Sequence, residues 1–124
     1  MTILYLPRDA SQREKAEALR LDNLVTPPFF MDGHQLVYHS DLVVSAGGSM
    51  NREAVALGVP AYTTFKGQMA GVDKALIEAG LLKYIGSSRD FGKINIEKCT
   101  HRGPVHGNPE LVQRFAEIIC ADRP

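Results

Sequence analysis

A three-layer α/β fold, a Rossmann-like parallel sheet with helices on both faces, is the class this 124-residue sequence predicts. Three observations lead there. Short apolar runs alternate with helical patterns, the arrangement of a parallel sheet covered by helices. The run Asp41 to Ser45 is apolar along its middle, as a strand buried on both faces should be, and it predicts the sheet centre. Glycine and proline fall where helices and strands should stop. The length suits one domain, about 100 to 200 residues being usual.

The elements follow in order. Thr2 to Leu6 reads as a first strand stopped by Pro7, and Ser11 to Leu19 as a polar helix. Asn23 to Thr26 reads as a second strand, ended by Pro27 and Pro28, neither of which can donate to a ladder. A short helix over Asp32 to His39 leads into the central strand. The next helix begins near Met50, capped by Ser49 and closed by Gly58 and Pro60. Ala61 to Phe65 forms the following strand. A helix over Met69 to Ala79 carries Val72, Ala75, Leu76 and Ala79 on one face and stops at Gly80. Leu82 to Ile85 reads as a short edge strand. Residues 86–106 read as loop, with a strand allowed at Lys93 to Glu97. Asn108 caps a last helix with Pro109 at its first position, and its stripe Leu111, Val112, Phe115, Ile118 and Ile119 should dock on the sheet.

Fourteen basic and fourteen acidic residues cancel, so no broad basic surface points to nucleic acid or an anionic membrane. No run is long enough to span a bilayer, and there is no apolar signal segment. With two cysteines, Cys99 and Cys120, this predicts a reduced, cytoplasmic protein.

The chemistry concentrates in Ser45-Ala-Gly-Gly-Ser49 between a strand and a helix. Gly47 and Gly48 can take backbone angles barred to other residues and leave no side chain between a ligand and the peptide N–H groups. Those donors and the positive end of the helix converge on one spot, which suits phosphate. The spacing is neither the dinucleotide fingerprint nor a P-loop, and it equally fits a turn that binds nothing. Glu53 stands four residues after Ser49, whereas a capping box needs three, so capping does not explain it. One turn into the helix, its carboxylate suits the paired hydroxyls of a ribose, or simply a solvated surface. Arg52 beside the turn can add a charge-assisted phosphate contact or face solvent. Arg8 follows the first strand where a ligand crevice should open, and Lys66 and Gln68 follow the strand Ala61 to Phe65 as weaker candidates.

The run from Asp41 to Pro60, Asp-Leu-Val-Val-Ser-Ala-Gly-Gly-Ser-Met-Asn-Arg-Glu-Ala-Val-Ala-Leu-Gly-Val-Pro, resembles the nucleotide-binding signature in the carboxy-terminal half of glycosyltransferase-B-fold proteins. These include the non-hydrolysing UDP-N-acetylglucosamine 2-epimerases. It is most similar to the domain of unknown function 354 family, predicted to be glycosyltransferase-like. That family shares a Gly-Gly-(Ser/Thr)-Met-x-Arg-Glu-Ala run, here Gly47 to Ala54, and, at the same separation, Val-Asp-Lys-x-Leu-Ile-Glu-x-Gly-Leu, here Val72 to Leu81. The resemblance covers roughly Thr2 to Ile85. It implies a single half of a glycosyltransferase-B fold, with Gly47, Gly48 and Ser49 on the diphosphate of UDP or a UDP-sugar and Glu53 on its ribose. It also implies that the acceptor half, with any catalytic base, lies elsewhere. The partner would be a separate amino-terminal half or a homodimer, and the isolated chain is expected to turn over no UDP-sugar. No cofactor and no metal is expected beyond the nucleotide.

Other constellations fit less well. His34 with His39, and Cys99 with His101, give no four-ligand zinc spacing. Ser45 lacks the nucleophile elbow of a hydrolase. Phe29 and Phe30 could stack on a uracil, cover a partner or plug the sheet end, the last being favoured. Three functions therefore stand side by side: the nucleotide-sugar half of a glycosyltransferase or epimerase, a stand-alone nucleotide-binding module without catalysis, and an interaction domain that has lost its ligand.

Overall fold

The structure is a computed structural model and describes residues 1–28, 31–100 and 107–121. Two compact units, Met1–Leu36 and Val37–Pro124, are taken in turn. In the first, β1 (Ile3–Leu4) pairs in parallel with β2 (Leu24–Val25), Ile3 opposite Leu24 and Leu4 opposite Val25. Both strands are shorter than the apolar runs that hold them. Between them runs α1 (Ala10–Ala18). The Asp9 carboxylate accepts from the Gln12 N–H at 2.9 Å, which satisfies one first-turn donor, and Gln12 Oε1 accepts from the N–H of Arg8, the residue before the cap, at 3.0 Å. Arg13 ties the helix to the chain beyond β2 by donating to the Pro27 carbonyl at 2.8 Å. The helix ends where Arg20 turns left-handed at φ 48°, an exit that no glycine marks.

The helix α2 (Gly33–His39) is capped by Asp32, whose carboxylate accepts from the N–H groups of His34 and Gln35. The second unit holds a three-stranded parallel sheet of β3 (Val43–Ser45), β4 (Ala61–Thr63) and β5 (Leu82–Tyr84). The centre is β4, whose three residues are all buried, and not β3 as its apolar run suggested. Within this sheet β3 lies at an edge, and Val44 is 47% exposed. The edge position of β5 is as expected.

The register Val43, Ala61, Leu82 defines one face, because alternate strand residues point to the same side. On it sits the core, where Ala54 of α3 (Gly48–Ala56), Val59 and Val37 join that row, with Leu76 and Ile77 of α4 (Gly71–Glu78) packed against them. Both helices end alike. After α3, Gly58 at φ 72° lets its N–H reach Val55 O and that of Val59 reach Ala54 O; after α4, Gly80 at φ 72° does the same with Ile77 O and Leu76 O. This double bond pattern closes each helix and returns the chain to the sheet. The apolar face of α4 is centred on Leu76 and Ile77, leaving Val72 49% exposed, so the expected stripe is rotated by about one residue.

On the other face, the row Val44, Tyr62, Lys83 is covered only at Tyr62. Its hydroxyl accepts from the Asn95 N–H at 3.0 Å and from Lys83 Nζ at 3.4 Å. That bond is why Lys93 to Glu97 forms no strand: its backbone spends a donor on a side chain, not on a ladder. A 3-10 turn, Ser88–Lys93, precedes it, closed by a capping box in which the Asp90 carboxylate accepts from the Ser87 N–H and hydroxyl.

The last helix, α5 (Pro109–Ala121), forms with Asn108 Oδ1 accepting from the Leu111 N–H at 3.0 Å, as its sequence predicts. It does not dock. Leu111, Val112, Phe115, Ile118 and Ile119 are between 51% and 68% exposed, so the second helical layer expected over the sheet is not supplied by α5.

Leu82→Ala removes a side chain that is 1% exposed from the middle of the core and should cost about 2–5 kcal/mol in urea unfolding. Val112→Ser on the bare stripe should stay within about 0.5 kcal/mol, and a larger loss would show that the stripe is covered. Hydrogen bonds from Lys93 and Ser87 hold the Asp90 carboxyl down to about 2. A depressed carboxyl stabilises the fold above its unfolded value near 4, and that contribution fades as pH falls from about 4 to about 2. An Asp90→Asn variant should therefore show a flatter acid limb in that window alone, read by thermal melts across pH.

Candidate functional site

The candidate site is the junction of β3 and α3, at the carboxyl end of a parallel strand where ligand crevices open. Ser45 organises it. Its Oγ accepts from the Gly47 N–H at 2.9 Å, folding the chain into a tight turn. Its carbonyl accepts from Thr64 N at 3.1 Å and from Asn51 Nδ2 at 3.2 Å. Asn51 is 1% exposed, and its Oδ1 is the buried side-chain atom without a hydrogen-bond partner among the described residues. An orphaned acceptor of this kind costs about 1–3 kcal/mol, so the junction carries a tension that the rest of the unit offsets.

This wiring corrects the expected capping. The helix starts at Gly48, with Gly47 at the cap position in extended backbone (φ −95°, ψ 139°) and no side-chain cap, so Ser49 lies inside the first turn. Neither glycine is left-handed; among the described residues the left-handed glycines are Gly58 and Gly80. The Gly47 N–H is engaged by Ser45, and the donors without an intrahelical acceptor are those of the first turn itself, Gly48, Ser49 and Met50. Ser49 is exposed, Gly47 and Gly48 are half-buried, and Glu53 is half-buried one turn further along.

What a side chain at Gly48 would meet first is an arginine. The Arg52 side chain runs back along α3 toward its amino end, as helical side chains do, and a Cβ at position 48 would lie 2.9 Å from Arg52 Nη2 and 3.2 Å from its Cζ. Arg52 is held there by Asp73, the third residue of α4, through Nε to Oδ1 at 2.8 Å and Nη2 to Oδ2 at 2.9 Å. The same hydrogen bonds hold the Asp73 carboxyl below the usual carboxylate range, against a smaller opposing effect of burial, and raise the guanidinium of Arg52. The cation faces outward: its side chain is 40% exposed and that of Asp73 is 13% exposed.

The structure brings Gly47, Gly48, Ser49, Arg52 and Glu53 together on one turn and helix. Lys66 and Gln68 are exposed on the loop after β4, where Phe65 lies so close over Gly67 that a Cβ there would meet the ring at 2.6 Å. Arg8 is exposed and belongs to the other unit. Asp73 and Asn51 are the residues that sequence reasoning passed over. The signal for Asp73 was the fixed separation of the two motifs, each of which supplies one member of the ion pair, twenty-one residues apart.

A cavity of about 220 Å³ lined by Ala16, Glu17, Arg20, Leu21, Leu24 and Thr26 lies in the first unit and includes no candidate residue. Among the described residues no group of three or more His, Cys, Asp or Glu could hold a metal ion, and no helix is long and apolar enough to cross a membrane. His101, Phe29 and Phe30 lie outside the described residues.

A family described as protein of unknown function (DUF354) matches residues 1–97, and the chain belongs to it. The chain is also 41% identical over 76 residues to an uncharacterized protein of Methanocaldococcus jannaschii, a match covering 61% of this chain and 21% of that protein. It therefore spans about a fifth of the length of this relative. No solved structure matches it.

Gly48→Ala should force the Arg52 guanidinium off its seat, an effect that vanishes once the guanidinium is gone. In an Arg52→Ala background the same change should stabilise by roughly 0.5–1 kcal/mol, the gain of alanine over glycine in a helix, and in the wild type by distinctly less. Equal effects in both backgrounds, measured by urea unfolding, would show that Gly48 does not answer to Arg52.

Proposed function

We propose that this DUF354 family member is the nucleotide-binding portion of a glycosyltransferase-like protein, taking the diphosphate of UDP or a UDP-sugar at the start of α3. The observation that carries the reading is the β3–α3 junction. A parallel strand ends, a side-chain-free turn follows, and the first-turn N–H groups of Gly48, Ser49 and Met50 point away from a helix whose positive end they form. An outward-facing guanidinium stands beside them. Gly47 lines the approach, Ser49 adds an exposed hydroxyl, and Glu53 one turn on takes the ribose hydroxyls.

The Asp41-to-Pro60 resemblance to glycosyltransferase-B signatures supports the choice of a nucleotide over other anions. The reaction belongs to the larger protein in this reading, because the groups argued at this site are donors for phosphate and one carboxylate for the ribose, and none is assigned as a base toward a sugar carbon. The bare stripe of α5 favours a second reading, in which the chain is an interaction module without catalysis.

Titrating UDP into the isotopically labelled chain should shift the backbone amides of residues 47–53 and few others. Glu53→Ala should weaken binding about tenfold or more, the loss of one hydrogen bond to a charged group, while leaving the fold intact. If saturating UDP moves none of those amides, this function is wrong.

A further inference from the structure

Resting on the reading of the α3 start as an oxyanion site, we propose that Asp73 regulates that site by competing with the ligand for Arg52. An oxyanion is already present there, and it is the protein's own. The Asp73 carboxylate takes the Nε and Nη2 edge of Arg52 in the two-bond fork that an arginine otherwise gives to a phosphate. Its Oδ2 is 3.5 Å from where a Gly48 Cβ would stand, so the negative charge sits at the first turn of α3 itself. Asp73 also occupies the first turn of α4 and is favoured there by that helix's positive end. The latch thus joins the starts of two neighbouring helices and neutralises the cation the ligand needs.

The exposures set the direction of exchange. The carboxylate is the shielded member and the guanidinium the accessible one, so a phosphate arriving from solvent meets Arg52 first. Arg52 can then share its outer donors or turn from Asp73 to the ligand, releasing the start of α4. Only a ligand with enough charge to outbid a carboxylate opens the latch, which favours a diphosphate over a singly charged anion.

The test titrates inorganic pyrophosphate into the 124-residue chain and follows the amides of residues 48–50. Asp73→Asn should tighten binding by about threefold or more, since it removes the competitor and keeps the shape. Glu78→Gln, in the last turn of the same helix, makes the same charge change and should alter binding much less. In an Arg52→Ala background the gain from Asp73→Asn should shrink to that of Glu78→Gln. Circular dichroism melts confirm that each variant is folded, and Asp73→Ser provides a second removal of the carboxylate. Pyrophosphate bound at residues 48–50 with Asp73→Asn no tighter than Glu78→Gln, or a gain that persists without Arg52, overturns the competition and leaves the oxyanion site standing. No binding by the wild type or by Asp73→Asn overturns both.

Discussion

Ala54 has no exposed surface, and the closeness it permits between α3 and the sheet is the constraint on which the second unit depends. A larger side chain would lift the helix off Val43 and Ala61, because a packed core does not absorb extra volume cheaply. With the helix seated at that depth, the left-handed turn at Gly58 drops Val59 into the same core and delivers β4 beside β3 in register. The amino end of α3 is thereby fixed at the carboxyl end of β3, and the site is a by-product of how the core closes.

Electrostatics then decides what that end offers. A bare helix start attracts anions, yet here the cation beside it is pre-matched with a carboxylate from the next helix. The pair is partly exposed and contributes modestly to stability, as such pairs do. Its consequence is geometric: it sets the guanidinium over Gly48 and joins the starts of α3 and α4. The Asn51 carboxamide does the complementary task from inside, tying α3 to the Ser45 carbonyl at the expense of an unmet acceptor. Sequence features that looked like ligand chemistry, a glycine pair and a nearby arginine, are in part the protein recognising itself.

Where local chemistry decides, the sequence was legible. Gly58 and Gly80 stop their helices as glycines in left-handed backbone do, Asn108 caps α5, and the parallel strands fall inside the apolar runs. Where distant residues decide, it was not. The exposure of Val44 depends on which strands flank β3, and the fate of residues 93–97 depends on the Tyr62 hydroxyl more than thirty residues away. The stripe of α5 says that an apolar partner is wanted but not where it is. At the site, the turn and the helix behind it were visible, but a side-chain hydroxyl taking the Gly47 N–H moves the spare donors one residue on, a shift no spacing rule contains.

The claim at the centre is that first-turn amides of α3, with Arg52 beside them, receive a nucleotide's diphosphate. A crystal structure of the chain soaked with UDP tests it most directly. Phosphate oxygens should lie about 2.9 Å from the backbone nitrogens of Gly48, Ser49 or Met50, the ordinary length of such a hydrogen bond, with the ribose turned toward Glu53. A diphosphate bound elsewhere on the chain, or a UDP-saturated crystal with that helix start bare, would contradict it.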